Sequence, residues 1–257
     1  MTASDPPIGG GVVSADIAVP EHERVVSFYA RVLTTGAEPL WREDLLNNAG
    51  SPIIGIGERI EAYNHLPLQW MVHIQVADVG ASALRAVEQG GQELMHQRDE
   101  RGESQWAVLR DPYGAAFGIM PPVPAEAEAQ RNDASAGRIS WLDLTVPDAA
   151  AARDFYQSVV GWSAGDIEME DEGERYSDYV LSSADGKAVA GVCHGRGPNE
   201  GLPQAWIIYL PVSDLAQSLR RVEEEGGEVI RSGDSDGELA YAVIRDPVGA
   251  HFGLVST

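Results

Sequence analysis

Four residues in the second half of the chain carry the functional groups that acid–base chemistry on a small organic molecule requires. Asp143 carries a carboxylate that can accept a proton or pair with a cation, while Tyr209 and His251 can donate protons. Trp141 adds a flat aromatic surface on which a ligand ring can stack. These residues lie in alternating segments such as WLDLTV and WIIYLPV, which are typical of β-strands. Their chemistry therefore depends on which face of the strands the side chains share.

These strands belong to a unit that the chain repeats. The phrase RDPYGAAFG recurs as RDPVGAHFG, and the segment that starts at Asp16 corresponds to the one that starts at Asp143. Each of these segments is a strand followed by Val-Pro and an acidic residue, Glu21 or Asp148, that is placed to start a helix containing Phe-Tyr. A second pattern of strand, Asp, helix and Gly-Gly follows in each half. The pattern indicates four units of about 55 residues each.

The composition limits the compartment and the partners. The chain has 257 residues, of which 44% are hydrophobic, enough for one large or two ordinary domains. The start, MTASDPPIGG, lacks the basic and apolar parts of a signal peptide, and no apolar run is long enough for a membrane span. We therefore expect a cytoplasmic protein. The acidic net charge of −22 repels nucleic acid and anionic membranes, so neither is an expected partner.

Two further reactive side chains have simpler interpretations. Cys193 is the single cysteine, which excludes an internal disulfide and a cysteine-based zinc cluster within one chain. We interpret it as a partly buried thiol rather than a nucleophile. Lys187 is the only lysine and lies in the turn-like segment ADGKAVAG, so we interpret it as a solvated charge rather than a Schiff-base lysine.

The order of the motifs resembles the vicinal oxygen chelate superfamily, which includes glyoxalase I, bleomycin-resistance proteins and extradiol dioxygenases. The resemblance rests on the Asp-Pro-X-Gly phrase, the Phe-Tyr helix, the VAD and VSD segments and the Gly-Gly helix end, each found twice. It implies an α+β fold of four βαβββ modules in two tandem glyoxalase-like domains, each with a curved mixed sheet around a cavity. The domains would span 12–120 and 138–256, joined by a linker over 121–137. The second half is also similar to a tandem actinobacterial subgroup labelled glyoxalase-like or hydroxylase.

The superfamily's metal positions hold unsuitable residues in this chain. In the family pattern, His, Glu or Gln ligands lie near the start of each module's first strand and four residues after the glycine of Asp-Pro-X-Gly. A site of this kind needs several nitrogen or oxygen donors that converge on the ion. The corresponding positions here are Ser14, Met71, Gly118, Trp141, Ile207 and Gly253. We therefore expect no metal and no other cofactor.

The same positions predict which strand residues face the cavity, because neighbours on a strand point to opposite sides. The intervening residues are uniformly apolar, which suits a helix-covered face. The predicted ligand-binding residues are Asp16, His73, Trp141, Asp143, Thr145, Ile207, Tyr209, His251 and Gly253. For the two aspartates a purely structural hydrogen bond is an equal alternative, and for the two histidines a hydrogen-bonded position in the wall is favoured over a catalytic role. Gly253 is expected to leave room for a ligand.

The preferred hypothesis is a metal-independent protein that binds a small aromatic or amphiphilic metabolite, with sequestration of a toxic compound as one such role. The rival hypothesis is an enzyme, such as a lyase, isomerase or hydroxylase, that uses Asp143, Tyr209 and His251 as acid and base. In a third hypothesis, the first half of the chain is only a structural partner of the second half. The residues leave open whether the protein turns its ligand over, and whether the halves pair within one chain or also in a homodimer.

Overall fold

The computed structural model describes residues 9–123, 136–235 and 237–257. The first half contains strands β1 (Val12–Val19), β2 (Ile54–Glu58), β3 (Met71–Gln75), β4 (Gln92–Arg98), β5 (Ser104–Arg110) and β6 (Ala116–Met120), with helices α1 (His22–Leu33) and α2 (Val79–Glu88). The second half contains β7 (Trp141–Val146), β8 (Ser163–Asp171), β9 (Glu174–Ser182), β10 (Ala188–His194), β11 (Trp206–Val212), β12 (Glu228–Ser235), β13 (Glu238–Arg245) and β14 (His251–Ser256), with α3 (Ala149–Val160) and α4 (Leu215–Glu224). No helix among the described residues is long and apolar enough to cross a membrane.

The strands form two mixed sheets, one from each half of the sequence. Their strand orders are β2-β1-β3-β6-β5-β4 and β12-β13-β14-β11-β7-β10-β9-β8. In each sheet parallel pairs such as β1–β2 and β7–β10 occur beside antiparallel pairs such as β5–β6 and β13–β14. The fold is therefore α+β, with one mixed sheet from each half of the sequence, as predicted.

The first module departs from the predicted βαβββ pattern. Between α1 and β2 the chain forms only an isolated bridge from Trp41 to Asn47, where the other three modules place two further strands. This segment contains Pro39, and proline cannot donate a hydrogen bond to a strand ladder. The Trp41 side chain is buried instead, and its Nε1 donates to the carbonyl of Pro211 at 2.9 Å. The first sheet consequently has six strands and the second has eight.

The helix boundaries follow the predicted caps, with one difference. Asp78, Asp148 and Asp214 each accept a hydrogen bond from the backbone N–H three residues later, at 2.8–2.9 Å. Glu21 adopts a left-handed backbone with φ of 53° and does not cap α1 with its side chain. Its longer side chain pairs with Arg24 at 2.9 Å instead.

The internal contacts divide the chain into two compact units, each drawn from both halves of the sequence. The first unit comprises Met1–Val13, His73–Ala129 and Asp143–Gln204. The second unit comprises Ser14–Val72, Gln130–Leu142 and Ala205–Thr257. Helices α2 and α3 pack together in the first unit, and α1 packs with α4 in the second. The predicted domain limits, 12–120 and 138–256, follow the sequence halves and stay a prediction.

In the second unit, the repeated motifs from opposite halves bind each other. Asp246 of the second Asp-Pro-X-Gly phrase accepts hydrogen bonds from the N–H groups of Val248 and Ala250 at 3.0 and 2.8 Å, which close the turn. Its other oxygen accepts from the Tyr29 hydroxyl at 3.1 Å. That hydroxyl in turn accepts from Trp70 Nε1 at 2.9 Å. Burial raises the pKa of both Asp246 and Tyr29, so this network lies in a poorly solvated core.

The first unit repeats the arrangement with the roles of the halves exchanged. Asp111 closes its own turn through the N–H groups of Tyr113 and Ala115 and accepts from the Tyr156 hydroxyl at 3.1 Å. Gly91 allows the neighbouring helix to approach, because a Cβ there would lie 3.2 Å from Phe155 Cε2 and 2.8 Å from a backbone oxygen. The Phe-Tyr, Gly-Gly and Asp-Pro-X-Gly motifs are therefore one structural contact, formed once in each unit.

Candidate functional site

In the second unit, the helices identify the strand face that is free to bind a ligand. Phe252 packs against Phe28 and Tyr29 of α1, with ring centroids 6.4 and 4.7 Å away. Its neighbours His251 and Gly253 therefore face away from the helix. Tyr209 lies on that same face, because a Cβ on Gly253 would be only 2.3 Å from its ring.

The first unit follows the same rule. Phe117 packs on Phe155 of α3 at 6.2 Å, so Gly118 faces away from the helix, and His73 lies 3.3 Å from the position of a Cβ on Gly118. Arg153 of α3 stacks on the ring of Tyr179 at 4.4 Å, so the preceding residue, Asp178, points to the opposite face.

Strand register extends that face to the predicted residues of β7. Tyr179 is paired with Val192, so Cys193 faces away from α3 together with Asp178. Cys193 is paired with Thr145, which puts Thr145 and Asp143 on the same face. Asp143 is half-buried and Thr145 is buried, whereas Leu144 between them is covered completely. The predicted alternation of β7 therefore agrees with the burial of its residues.

An aromatic patch, formed by Trp141, Tyr209 and Tyr241, lies on the helix-free face of the second unit. Tyr209 and Tyr241 meet edge to face, with centroids 6.3 Å apart. Tyr241 is 38% exposed, so its ring remains available to a ligand. Trp141 is half-buried and directly follows Ser140, whose N–H donates to the Tyr209 carbonyl at 2.8 Å. Such a surface can stack on a planar ligand.

Two glycines leave the space that the rings of the aromatic patch occupy. Gly253 was expected to leave room for a ligand instead. The space above Gly253 is taken by the Tyr209 ring, since a Cβ there would lie 2.3–2.6 Å from three ring carbons. Gly233 supports Tyr241 in the same way, with a Cβ position 2.3 Å from that ring. The missing side chains therefore make room for protein aromatics, and a ligand would contact the rings.

The remaining predicted residues divide between the units. Ile207, His251 and Gly253 belong with the aromatic patch to the second unit, and so does Asp16. Ile207 is completely buried, so it supports the wall without offering a surface. Asp16 is exposed and its carboxylate lies over Gly55, where a Cβ would be 2.2 Å from Oδ1. His73, Asp143 and Thr145 belong to the first unit.

His251 is suited to act as a neutral hydrogen-bonding group. Burial lowers its pKa, and the nearby Arg245 lowers the pKa further, while Glu228 acts weakly in the opposite direction. The imidazole is therefore mostly uncharged near neutral pH. It can accept or donate a hydrogen bond without the cost of burying a cation.

A polar cluster in the first unit, formed by Asp178, Cys193 and His194, was not predicted from the sequence. Asp178 is 3% exposed and its Oδ1 accepts from the backbone N–H of His194 at 2.8 Å and lies 3.1 Å from the Nδ1 of His194. An ionised carboxylate only accepts hydrogen bonds, so Nδ1 carries the proton and Nε2 is left as an acceptor. The same carboxylate binds the Cys193 thiol, and burial raises the thiol's pKa. Cys193 is thus a partly buried thiol and not a thiolate, as the sequence indicated.

Two other residues frame this polar cluster. Tyr176 packs edge to face on His194 with centroids 5.5 Å apart, and Arg196 stacks on the Tyr176 ring at 4.6 Å. Arg196 also pairs with Asp171 and Glu174 at 3.3 and 3.2 Å, so its charge is neutralised. One sequence signal could have indicated part of this cluster. His194 and Arg196 are two residues apart at the end of a strand, and this spacing places both side chains on one side.

The donor set does not fit the metal chemistry of the superfamily. The positions carried over from the family pattern hold Ser, Met, Trp, Ile and Gly side chains. Within the ranges that the structure describes, no three His, Cys, Asp or Glu side chains are grouped so that they could hold a metal ion. Asp178 and His194 are used by each other rather than directed at a common centre.

Two family descriptions match the chain, one in each half. "Glyoxalase-like domain" matches residues 13–120, and "Glyoxalase/Bleomycin resistance protein/Dioxygenase superfamily" matches residues 138–254. Together with the two mixed sheets, these matches define a protein of two tandem glyoxalase-like domains. The chain belongs to the glyoxalase/bleomycin resistance/dioxygenase superfamily, as its motifs indicated.

Two curated relatives match different shares of the chain. The anthracycline biosynthesis protein DnrV of Streptomyces peucetius is 28% identical over 190 residues, which are 74% of this chain and 66% of that protein. The Mycobacterium bovis protein named "Putative glyoxylase CFP32" is 32% identical over 127 residues, 49% of this chain and 48% of that protein. The matched parts therefore span less than two thirds of the length of either relative.

Solved structures of dioxygenases share the fold. The 2,3-dioxygenase LapB of Pseudomonas sp. KL28 aligns with a TM-score of 0.56 and 14% identity, over 98% of this chain and 94% of that one. A homoprotocatechuate 2,3-dioxygenase variant from Brevibacterium fuscum aligns with a TM-score of 0.58 and 14% identity, over 100% of this chain and 74% of that one. At these identities the similarity is one of fold alone.

Proposed function

We propose that the protein is a metal-independent, cytoplasmic binder of a small aromatic or amphiphilic metabolite, with sequestration as its role. The observation that carries this proposal is the aromatic patch, in which Tyr241 is 38% exposed beside Tyr209 on a helix-free face. Stacking on such rings contributes about 0.5–1.5 kcal/mol beyond the burial of apolar area. A planar apolar ligand therefore fits this surface better than a small polar one.

The relatives and the charge support the same ligand class. DnrV is named for anthracycline biosynthesis, and anthracyclines are polycyclic aromatic amphiphiles. The net charge of −22 favours neutral or cationic ligands over anionic ones. A carboxylate such as Asp143 would accept a hydrogen bond from a ligand hydroxyl or pair with a ligand amine.

Titration calorimetry with the planar dihydroxyanthraquinone quinizarin tests this proposal. We expect saturable binding of one or two equivalents per chain, unchanged after treatment with EDTA. Elemental analysis of protein purified without chelator should find no stoichiometric transition metal. The proposal is wrong if quinizarin fails to bind, or if binding disappears with EDTA and returns with a divalent metal.

A second candidate is an enzyme that uses acid–base chemistry on such a metabolite, and the Asp178–His194 pair favours it. A buried carboxylate fixes the His194 tautomer and leaves Nε2 as a proton acceptor. Asp143, Tyr209 and His251 are the other acid–base groups proposed for this role. If a quinizarin-like compound is converted, His194→Gln should reduce kcat with little change in KM. Binding without any turnover would leave sequestration as the function.

A further inference from the structure

A chain of hydrogen bonds in the first unit joins a serine, a histidine and a glutamate. His96 Nε2 lies 2.9 Å from Ser104 Oγ, and His96 Nδ1 lies 2.8 Å from Glu93 Oε2. Glu93 and His96 belong to β4, and Ser104 begins the adjacent β5. The His96 side chain is only 6% exposed, whereas that of Glu93 is 42% exposed. The three groups are neither in the aromatic patch nor in the polar cluster.

The chemistry of the partners fixes the position of each proton. Two groups contact His96 Nδ1: the Glu93 carboxylate at 2.8 Å and the Arg98 guanidinium, through Nη2, at 3.3 Å. A carboxylate has no proton to donate, and its contact is the shorter one, so Nδ1 carries the hydrogen that binds Glu93. Nε2 is then the acceptor and receives the Ser104 hydroxyl proton. Nucleophile, base and orienting carboxylate thus have the order found in serine hydrolase triads, which are recognised by geometry rather than by fold.

A positive group lies beside the serine oxygen, where negative charge would develop as its proton leaves. Arg98 Nη1 donates to Ser104 Oγ at 3.1 Å. The first turn of α2 also lies beside it, because a Cβ on Gly80 would be 3.0 Å from Oγ. The first N–H groups of a helix have no acceptor within the helix and carry a partial positive charge. At this helix start, however, the Asp78 carboxylate already accepts from the N–H of Ala81 and lies 3.5 Å from that Cβ position. The Arg98 guanidinium is therefore the group suited to stabilise developing negative charge.

The duplicated module shows that the fold does not need these residues. The strand register pairs His96 with Ala107 in the first half and Ser232 with Ala242 in the second, so Ser232 takes the place of His96. By the same register, Val229 and Leu239 take the places of Glu93 and Ser104. The same hairpin therefore forms without a single member of the triad.

We propose that Ser104, His96 and Glu93 form a hydrolytic site for small carboxylic esters, separate from the aromatic patch. Ser104 Oγ attacks the ester carbonyl and its proton passes to His96 Nε2. The C–O bond to the alcohol then breaks, and the alcohol leaves with that proton, so that an acyl-serine remains. Water attacks the acyl-serine, gives its proton to His96 and releases the carboxylic acid, and the proton returns to Ser104. No oxidant, reductant or metal enters this sequence.

The test uses the intact protein and the serine-reactive probe diisopropyl fluorophosphate. Attack by Ser104 forms an Oγ–P bond and expels fluoride, which leaves a stable adduct that peptide mass spectrometry locates. We expect one adduct per chain, on Ser104, and hydrolysis of p-nitrophenyl acetate that is lost when the adduct forms. His96→Gln should slow the labelling about 100-fold or more, because general-base catalysis contributes about 10²–10⁴-fold. Glu93→Gln should slow it by a smaller factor.

Ser232→Ala is the matched control, since it removes an exposed serine from the equivalent place in the second half, and labelling should not change. The thermal midpoint of each variant shows whether it is folded, and the wild-type adduct alone decides the case if His96→Gln does not fold. The proposal fails if no adduct forms on Ser104, if other serines react at the same rate, or if folded His96→Gln reacts as fast as the wild type. Quinizarin binding is measured separately, so either proposal can fail without the other.

Discussion

Single residues determine what the helix-free faces of the strands can recognise. Apolar neighbours along each strand indicated which side Tyr209 and His251 face. The contacts of Phe252 with α1 and of Gly253 with the Tyr209 ring put both residues on the helix-free face. Tyr241 was missed, although its place in the repeat matches Trp106, and both residues are 38% exposed. His194 was missed because its partner, Asp178, lies on another strand, and cross-strand pairing cannot be read from one segment.

Trp141 of the aromatic patch and Asp143, two residues further along β7, should contribute more to ligand binding than the matching residues of the first half. Trp141→Ala and Asp143→Asn should each weaken quinizarin binding about tenfold or more, if each removes ~1.4 kcal/mol. The matched changes Ser14→Ala and Asp16→Asn should have much smaller effects, because serine offers no stacking surface and Asp16 is exposed. Calorimetric titrations of the four variants decide the order. A dominant Asp16 with a silent Trp141 would place the site in the first half.

His251 should make the protein less stable in mild acid. Burial lowers its folded pKa below the ordinary 6.5, so the unfolded chain binds a proton more readily. The stability that neutral His251 provides is present above pH 6.5 and is lost as the pH falls towards and through the folded pKa. Urea unfolding of the wild type and His251→Asn between about pH 7.5 and pH 5 should show a smaller decrease in the variant. Parallel curves would mean that His251 titrates alike in both states.

At the scale of elements, the most recognisable motifs of the sequence proved to be structural. Asp111, Asp246 and the two Phe-Tyr pairs hold helices against strands that lie far away in the sequence. Motif order was enough to predict the four helices of the described residues and nearly all strands, because hydrophobic alternation and caps are local signals. The short first module was not predicted, since Trp41 is buried by a contact with Pro211, 170 residues away.

Removing one motif hydroxyl should therefore cost stability without affecting the aromatic patch directly. Tyr29→Phe deprives buried Asp246 of a donor and Trp70 Nε1 of its acceptor, and unsatisfied buried groups cost about 1–3 kcal/mol. Tyr156→Phe should have a similar effect through Asp111 in the first unit. Urea denaturation measures both, with Tyr63→Phe, a half-buried tyrosine, as the control. A loss as small as that of the control would show that these hydroxyls are dispensable.

At the scale of the whole molecule, sequence halves and compact units do not coincide. Each sheet comes from one half of the sequence, yet each unit takes a helix and its motif partner from both halves. Neither half can complete the Tyr29–Asp246 or the Tyr156–Asp111 hydrogen bond alone. A single chain supplies both partners of each bond, so it needs no second copy to complete them. Light scattering of the intact protein should therefore give the monomer mass of 27.6 kDa. That mass would count against the homodimer that the sequence left open.

This division predicts how the chain responds when it is cut. We propose 12–120 and 138–256 as the two domains and place a specific protease site within 121–137. After cleavage, the fragments should stay associated and elute together with the mass of the intact chain, because each supplies half of every motif contact.

Each half expressed alone should have a lower thermal midpoint or self-associate, because its helices lack the Phe-Tyr or Asp-Pro-X-Gly partner and expose apolar surface. Mixing the separate halves should restore the midpoint and the mass of the cleaved complex. Two stable monomeric halves that ignore each other would show that the sequence halves are independent and that the motif contacts contribute little to folding.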